Sequence, residues 1–216
     1  MRNDYCDITV VLDRSGSMSS IQKDTIGGFN TFLEAQRKLP GKATMTLVQF
    51  DDRYEQNYEG VEVHAAKPLT EETYIPRGAT ALLDAVGKTM VLTGERLKAM
   101  AESERPGKVI FAVITDGYEN ASCEYEKQQV KDMTETQTHI YKWEFVYLGA
   151  NVDAFTEGTN LGMMGANSMG YTSTPDSVQA AYSSFTTNTS KLRTGTAKTM
   201  AWTTEDRKKQ AERTGK

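Results

Sequence analysis

The sequence predicts an α/β fold: a doubly wound, three-layer sandwich with helices on both faces of a mostly parallel sheet. Three observations predict it. Short apolar runs, Val10-Val11-Leu12 and Val109 to Ile114 above all, have the length and continuity of buried strands. Between such runs lie segments whose apolar residues recur every three or four positions, the period of a half-buried helix. The two kinds of segment alternate along 216 residues, a length that suits one domain with a sizeable core.

Taken in order, Asp7 to Asp13 is the first strand. A helix follows, with Ile21, Ile26, Phe29, Phe32, Leu33 and Leu39 on its apolar face and Ser19 or Ser20 as its cap. Gly27-Gly28 inside that helix costs about 1 kcal/mol per glycine relative to alanine. Close approach of the helix backbone to the sheet is the expected compensation. Pro40-Gly41 ends the helix. Met45 to Phe50 is a second strand, Asp51-Asp52 a turn, and Tyr54 to Val63 an antiparallel strand at the sheet edge. After a loop over Pro68 to Pro76, the pattern Leu82, Ala85-Val86, Met90, Leu97 predicts a second helix, running to about Glu102.

Val109 to Ile114 is the most continuously apolar run and therefore a central strand, which delivers Thr115-Asp116-Gly117 at its end. Glu124 to Gln137 reads as a surface helix anchored by Val130 and Met133. Trp143 to Leu148 is a fifth strand, Val152 to Leu161 a short helix, and Asn167 to Thr172 a short last strand. Pro175 to Leu192 is a helix with Val178, Ala181-Tyr182, Phe185 and Leu192 inward. The domain is expected to span residues 1–195. Residues 196–216 are locally basic and read as a charged tail or a frayed helix.

Composition excludes some functions. A net charge of -4 leaves no basic footprint for nucleic acid, so none is expected as a partner. No apolar run approaches membrane-spanning length, and Met1-Arg2-Asn3-Asp4 opens no secretory signal, so neither a membrane nor export is expected. Cys6 and Cys123 are far apart, and reduced thiols in a cytoplasm are the expectation.

The chemistry is concentrated after the first strand. There Asp13-Arg14-Ser15-Gly16-Ser17 makes a tight turn, bringing Asp13, Ser15 and Ser17 together as oxygen ligands for a hard cation. This Asp-x-Ser-x-Ser pattern resembles the metal-ion-dependent adhesion site (MIDAS) of von Willebrand factor type A domains. That family completes its site with a threonine and a second aspartate from later loops. The counterparts here are Thr80, in Arg77-Gly78-Ala79-Thr80, and Asp116, in Thr115-Asp116-Gly117. Alone, the first piece is a polar turn, Thr80 a helix cap and Asp116-Gly117 another turn. It is their joint occurrence, in the family's order, that carries the resemblance. It covers about Asp7 to Leu192. The segments Val48-Gln49-Phe50-Asp51 and Gly149-Ala150-Asn151-Val152-Asp153-Ala154 are similar to small, stand-alone bacterial and phage members.

The resemblance implies a Rossmann-like sheet in which the first and fourth strands are neighbours, so that Asp13 and Asp116 end side by side. It implies Ser15, Ser17 and Thr80 as direct ligands or nearly so, and Asp13 and Asp116 acting directly or through water. All-oxygen coordination suits Mg²⁺ or Mn²⁺, and His64 and His139 lie outside these loops. The partner it implies is a protein offering an Asp or Glu carboxylate to the metal. Arg14, Asp51, Tyr118, Glu119 and Asn120 are expected at the rim of that contact, as are Asp52 and, as a further aromatic anchor, Tyr74.

The expected function is thus a cation-dependent protein-binding module, not an enzyme, in the cytoplasm of a bacterium or an infected host cell. A Mg²⁺-dependent phosphohydrolase or nuclease is the first alternative. Phosphatases of the haloacid-dehalogenase type carry a second aspartate where this chain has Ser15. No general base stands near the site and no Walker A loop is present. A structural or assembly role in a phage particle is the second alternative.

Overall fold

In the computed structural model, which describes residues 1–214, six strands form one sheet. They are β1 (Arg2–Asp13), β2 (Lys42–Phe50), β3 (Tyr54–Glu62), β4 (Pro106–Thr115), β5 (Glu144–Ala150) and β6 (Ser168–Tyr171). The order across the sheet is β3-β2-β1-β4-β5-β6, and only β3, at one edge, runs antiparallel. The α-helices are α1 (Gln22–Arg37), α2 (Leu82–Ala99), α3 (Lys127–His139), α4 (Ala154–Asn160), α5 (Pro175–Thr194) and α6 (Thr204–Thr214).

Strand periodicity divides the core into two layers. Ile8, Val10 and Leu12 of β1 and Ile110, Ala112 and Ile114 of β4 face α1 and α5, where Phe29, Phe32 and Phe185 meet them. Val11, Phe111 and Val113 face the other way, against Leu82, Val86 and Met90 of α2 and Val130 of α3. Side chains alternate across a strand, so one apolar run serves both layers. This is why β4 is apolar without a break from Val109 to Ile114. Phe32 and Phe185 stack with ring centroids 4.4 Å apart and tie α1 to α5.

Four expectations are corrected here. β1 begins at Arg2, five residues before Asp7. Of those residues, Arg2, Asn3 and Asp4 are polar and carry no strand signal. They are held by the Arg2 amide donating to the Arg105 carbonyl at 2.8 Å and by pairing with Pro106 across a register shift. Neither Ser19 nor Ser20 caps α1. Residues Gly16–Ile21 form a 3-10 turn, and the cap position is Ile21, with no side-chain bond. Ser19 instead donates to the Gly16 carbonyl within that turn. Gly28 does allow a close approach, but to a helix rather than the sheet. The ring of Tyr182 on α5 lies so near that a Cβ at Gly28 would stand 2.3 Å from it. Tyr74 is fully buried and presents no ring to solvent.

The stretch after Gly195 packs against the body of the fold. Met200 and Trp202 lie in the α1–α5 core layer, and the Trp202 amide donates to the Ala166 carbonyl at 2.9 Å. Gln210 of α6 is buried and donates to the Ser177 hydroxyl at 2.6 Å. Among the described residues, no helix is long and apolar enough to cross a membrane.

This topology sets the place of the site. From β1 the chain winds to β2 and β3 on one side and to β4, β5 and β6 on the other. The C-terminal ends of β1 and β4 therefore border the crevice where the winding reverses, the usual ligand position of such sheets.

Candidate metal centre

Asp13 is the last residue of β1 and is fully buried. Its Oδ1 accepts the Ser15 amide at 2.6 Å, so the carboxylate folds back on its own turn. Its Oδ2 accepts the Thr115 hydroxyl at 2.5 Å, from the neighbouring strand end. The Tyr74 hydroxyl donates to the Asp13 carbonyl at 2.6 Å. Both carboxylate oxygens and the backbone are therefore fixed. The turn next places the Ser15 and Ser17 hydroxyls 3.0 Å apart, with Ser15 buried and Ser17 exposed.

Asp116 follows β4 directly and is nearly buried. Its Oδ1 accepts the Ser17 hydroxyl at 2.5 Å. Thr115 both donates to Asp13 and accepts the Gly117 amide at 3.1 Å, which shapes the turn around Asp116. A third loop brings Thr80, also buried. A Cβ at Gly117 would stand 3.1 Å from Thr80 Oγ1 and 3.6 Å from Ser17 Oγ, so both hydroxyls close on the Asp116-Gly117 turn. The Thr80 loop is laid directly on the first one. The Gly16 amide donates to the Gly78 carbonyl at 3.2 Å, and the Arg77 amide to the Arg14 carbonyl at 2.8 Å. Gly78 has φ +68°, a left-handed conformation that favours glycine.

The structure thus brings Asp13, Ser15, Ser17, Thr80 and Asp116 to one place. The remaining rim residues separate into two kinds. Arg14 and Asp51 are buried, and they face each other rather than solvent: Arg14 Nε donates to Asp51 Oδ2 at 3.0 Å, and Arg77 Nε to the same oxygen at 2.8 Å. Arg14 also reaches Glu55 at 2.7 Å. Burial opposes ionisation of Asp51, but the bonds from Arg77 and the Arg53 amide and the charge of Arg14 outweigh it, and its pKa falls below the usual value. Tyr118 and Asn120 are exposed and Glu119 partly so. Asn120 holds Thr80 in place, accepting its amide at 2.9 Å and donating its own to the Thr80 carbonyl at 3.1 Å. Glu119 accepts the Leu83 amide at 2.9 Å, in the first turn of α2, and the Ser122 hydroxyl at 2.7 Å.

Sequence reasoning missed Thr115 and the structural part of Tyr74. Thr115 stood beside Asp116 in the motif, and a hydroxyl at a buried strand end needs an acceptor; that was the available signal. Tyr74 carried none, since its partner is a carbonyl 61 positions away.

The electrostatics of the site are lopsided. Burial pushes the Asp13 carboxyl up to about 6, with the nearby Asp116 adding to the shift and the bonds from Thr115 and Ser15 opposing it. Burial likewise raises Asp116, against the bond from Ser17. Neither carboxylate has an ion-pair partner among the described residues. Two buried carboxylates ringed by three neutral hydroxyls fit a hard divalent cation, which favours oxygen donors and tolerates water in its shell. Among the described residues no three His, Cys, Asp or Glu side chains gather, so such an ion must rely on the hydroxyls. His64 follows β3 and His139 ends α3, both at the opposite end of the sheet.

No family model and no curated protein matches the sequence. Solved structures do match in fold. Proximal thread matrix protein 1 from the mussel byssus, in a structure with a zinc-occupied MIDAS motif, aligns with a TM-score of 0.57 at 17% identity. That alignment covers 87% of this chain and 45% of the mussel protein. A von Willebrand factor type A protein from Catenulispora acidiphila aligns with a TM-score of 0.53 at 14% identity, over 85% of this chain and 42% of the other. The vWF domain of the pilus tip protein Mfa5 from Porphyromonas gingivalis gives 0.55 at 9% identity, over 85% and 94%. The chain spans less than half the length of the first two. Its fold is that of von Willebrand factor type A domains.

Proposed function

We propose that this chain is a divalent-cation-dependent protein-binding module. Asp13, Ser15, Ser17, Thr80 and Asp116 hold the ion, Mg²⁺ or Mn²⁺, and an Asp or Glu of a partner protein completes its shell. The observation that carries this reading is the pair of buried carboxylates, Asp13 and Asp116, with raised pKa values and no ion-pair partner among the described residues. Such an arrangement is costly unless a cation offsets it. Once bound, the ion supplies a positive centre for an incoming carboxylate. The residues of the chain do the positioning: Thr115 and the Ser15 amide orient Asp13, Ser17 orients Asp116, and Asn120 fixes the Thr80 loop. The mussel byssus protein, with zinc in its MIDAS motif, supports a metal ion at this place in the fold.

Binding is favoured over hydrolysis on a specific ground. A hydrolase of this kind needs a proton acceptor near the ion, and both histidines lie at the far end of the sheet. Of the two carboxylates, Asp13 is saturated by its own turn and Thr115, and Asp116 accepts from Ser17. A bacterial or phage setting rests only on the likeness of short segments to stand-alone members.

Two measurements test the reading together. Calorimetric titration with Mg²⁺, Mn²⁺ and Zn²⁺ should show binding to one site that Asp116→Ala abolishes. Affinity capture in Mg²⁺ should yield a partner released by EDTA. No metal bound by the chain, or a partner that stays bound in EDTA, contradicts the reading.

A further inference from the structure

Arg77 stands apart from the other arginines around the site. Its backbone is zipped to the Asp13–Ser17 turn through the Arg14 carbonyl, and it precedes the Gly78 whose carbonyl accepts from Gly16. Its Nε is fixed on the buried Asp51 carboxylate at 2.8 Å. Asp51 is held in turn by Arg14 Nε at 3.0 Å and by the Arg53 amide at 2.7 Å. Yet the Arg77 side chain is 48% exposed, and its two terminal nitrogens have no hydrogen-bond partner among the described residues. Asp52 and Glu55 lie within electrostatic reach, but neither bonds to it. Arg14, by contrast, is 5% exposed at its side chain and spends two of its nitrogens on Asp51 and Glu55.

A guanidinium anchored at Nε and open at its other edge is a preorganised fork for a carboxylate. Its place is set by the sheet. Asp13 pairs with Phe50 in the β1–β2 register, and Asp51, which fixes Arg77, is the next residue. Arg77 is therefore anchored beside the end of β2, and a cation between the ends of β1 and β4 would lie about one and a half strand spacings away, on the order of 7 Å. In an extended segment, side chains two positions apart point the same way, about 7 Å from each other.

We propose that Arg77 is a second anchor of the site, reading a second carboxylate of the partner. The partner segment is then extended and di-acidic: one Asp or Glu meets the cation, and another, two positions away, meets the Arg77 fork. This rests on the cation-dependent reading above and specifies its ligand.

The test uses acetyl-Gly-Asp-Ser-Asp-Gly-amide and its two single-Asn versions, titrated by NMR into the labelled full chain in saturating Mg²⁺. The di-acidic peptide should bind at least fivefold more tightly than either mono-acidic one. Arg77→Gln should shrink that advantage below twofold, leaving mono-acidic binding and the calorimetric Mg²⁺ affinity unchanged. Arg77→Lys, which keeps the charge but not the fork, should fall between. A cooperative melt and retained Mg²⁺ binding show that the variants are folded, since loss of the Arg77 bond to the buried Asp51 can itself lower the midpoint. A di-acidic advantage absent in the wild type, or undiminished in Arg77→Gln, overturns the inference while leaving the cation reading intact. Peptides that bind equally in EDTA, or none that bind in Mg²⁺, overturn both.

Discussion

Ser17 and Asp116 are 99 positions apart and joined by a hydrogen bond of 2.5 Å. That bond closes the first loop on the fourth strand, and the Thr80 loop lies against both. On the cation-dependent reading proposed above, a bound ion would be shared by these same oxygens.

Metal should therefore stabilise the fold measurably. At about a hundredfold above its dissociation constant, Mg²⁺ or Mn²⁺ should add about 2.7 kcal/mol, read as a higher melting temperature than in EDTA. Ser17→Ala and Asp116→Ala should reduce or abolish that gain. Coincident melts with metal and with EDTA contradict the ligand set.

The metal-free protein should have an unusual pH profile. The Asp13 carboxyl sits at about 6 in the fold against an ordinary value of 3.8, so the folded state holds a proton that the unfolded state has lost. Stability from this group is full below the unfolded value and declines as pH rises through the folded one. The total decline is about 3 kcal/mol. Asp51, whose pKa is lowered, contributes the opposite slope at acid pH, so the difference between wild type and Asp13→Asn is the informative quantity. In EDTA, urea midpoints of the wild type should fall relative to Asp13→Asn between pH 4 and about 7. Parallel profiles contradict the assignment.

Tyr74→Phe should cost about 1–2 kcal/mol in urea unfolding, because the Asp13 carbonyl loses a buried donor. The affinity for Mg²⁺ should fall as well, since that bond fixes the backbone of Asp13. An unchanged midpoint would show that water replaces the hydroxyl.

The sheet and its site were legible to different depths. Nearly continuous apolar runs such as Ile8 to Leu12 and Val109 to Ile114 announce buried strands, and the observed order places them as neighbours. That Asp13, Ser15, Ser17, Thr80 and Asp116 converge was legible through a motif in three pieces, each bland alone. What did not show was polar burial. Arg14 and Asp51 read as solvent-facing because charge usually is, and nothing local to either residue announces a partner 37 positions away. Thr115 and Tyr74 serve the site through bonds that span 102 and 61 positions. The residues at 2–4 form strand by pairing with residues beyond 104, against their own polarity.

The C-terminal segment separates two views of where the domain ends. Read by composition, residues 196–216 are a charged tail, which can be removed at little cost. Met200 and Trp202 lie in the core layer shared by α1 and α5, and the Met200 amide donates to the half-buried Glu144 carboxylate at 2.9 Å. Asn167 also reaches that carboxylate, at 3.3 Å, so the segment closes over the β5–β6 end of the sheet. Trp202→Ala should then cost about 3–5 kcal/mol in urea unfolding, the range for emptying a buried tryptophan site. Deleting residues 196–216 should cost at least as much, since it also exposes the edge strand β6 and leaves Glu144 without its backbone donor. Lys208→Ala, an exposed position on α6, serves as the control and should change stability by less than about 0.5 kcal/mol. If the truncated chain unfolds at the wild-type midpoint, the domain ends near Gly195 and the tryptophan packs without contributing. If it loses cooperativity, the fold is one unit through α6.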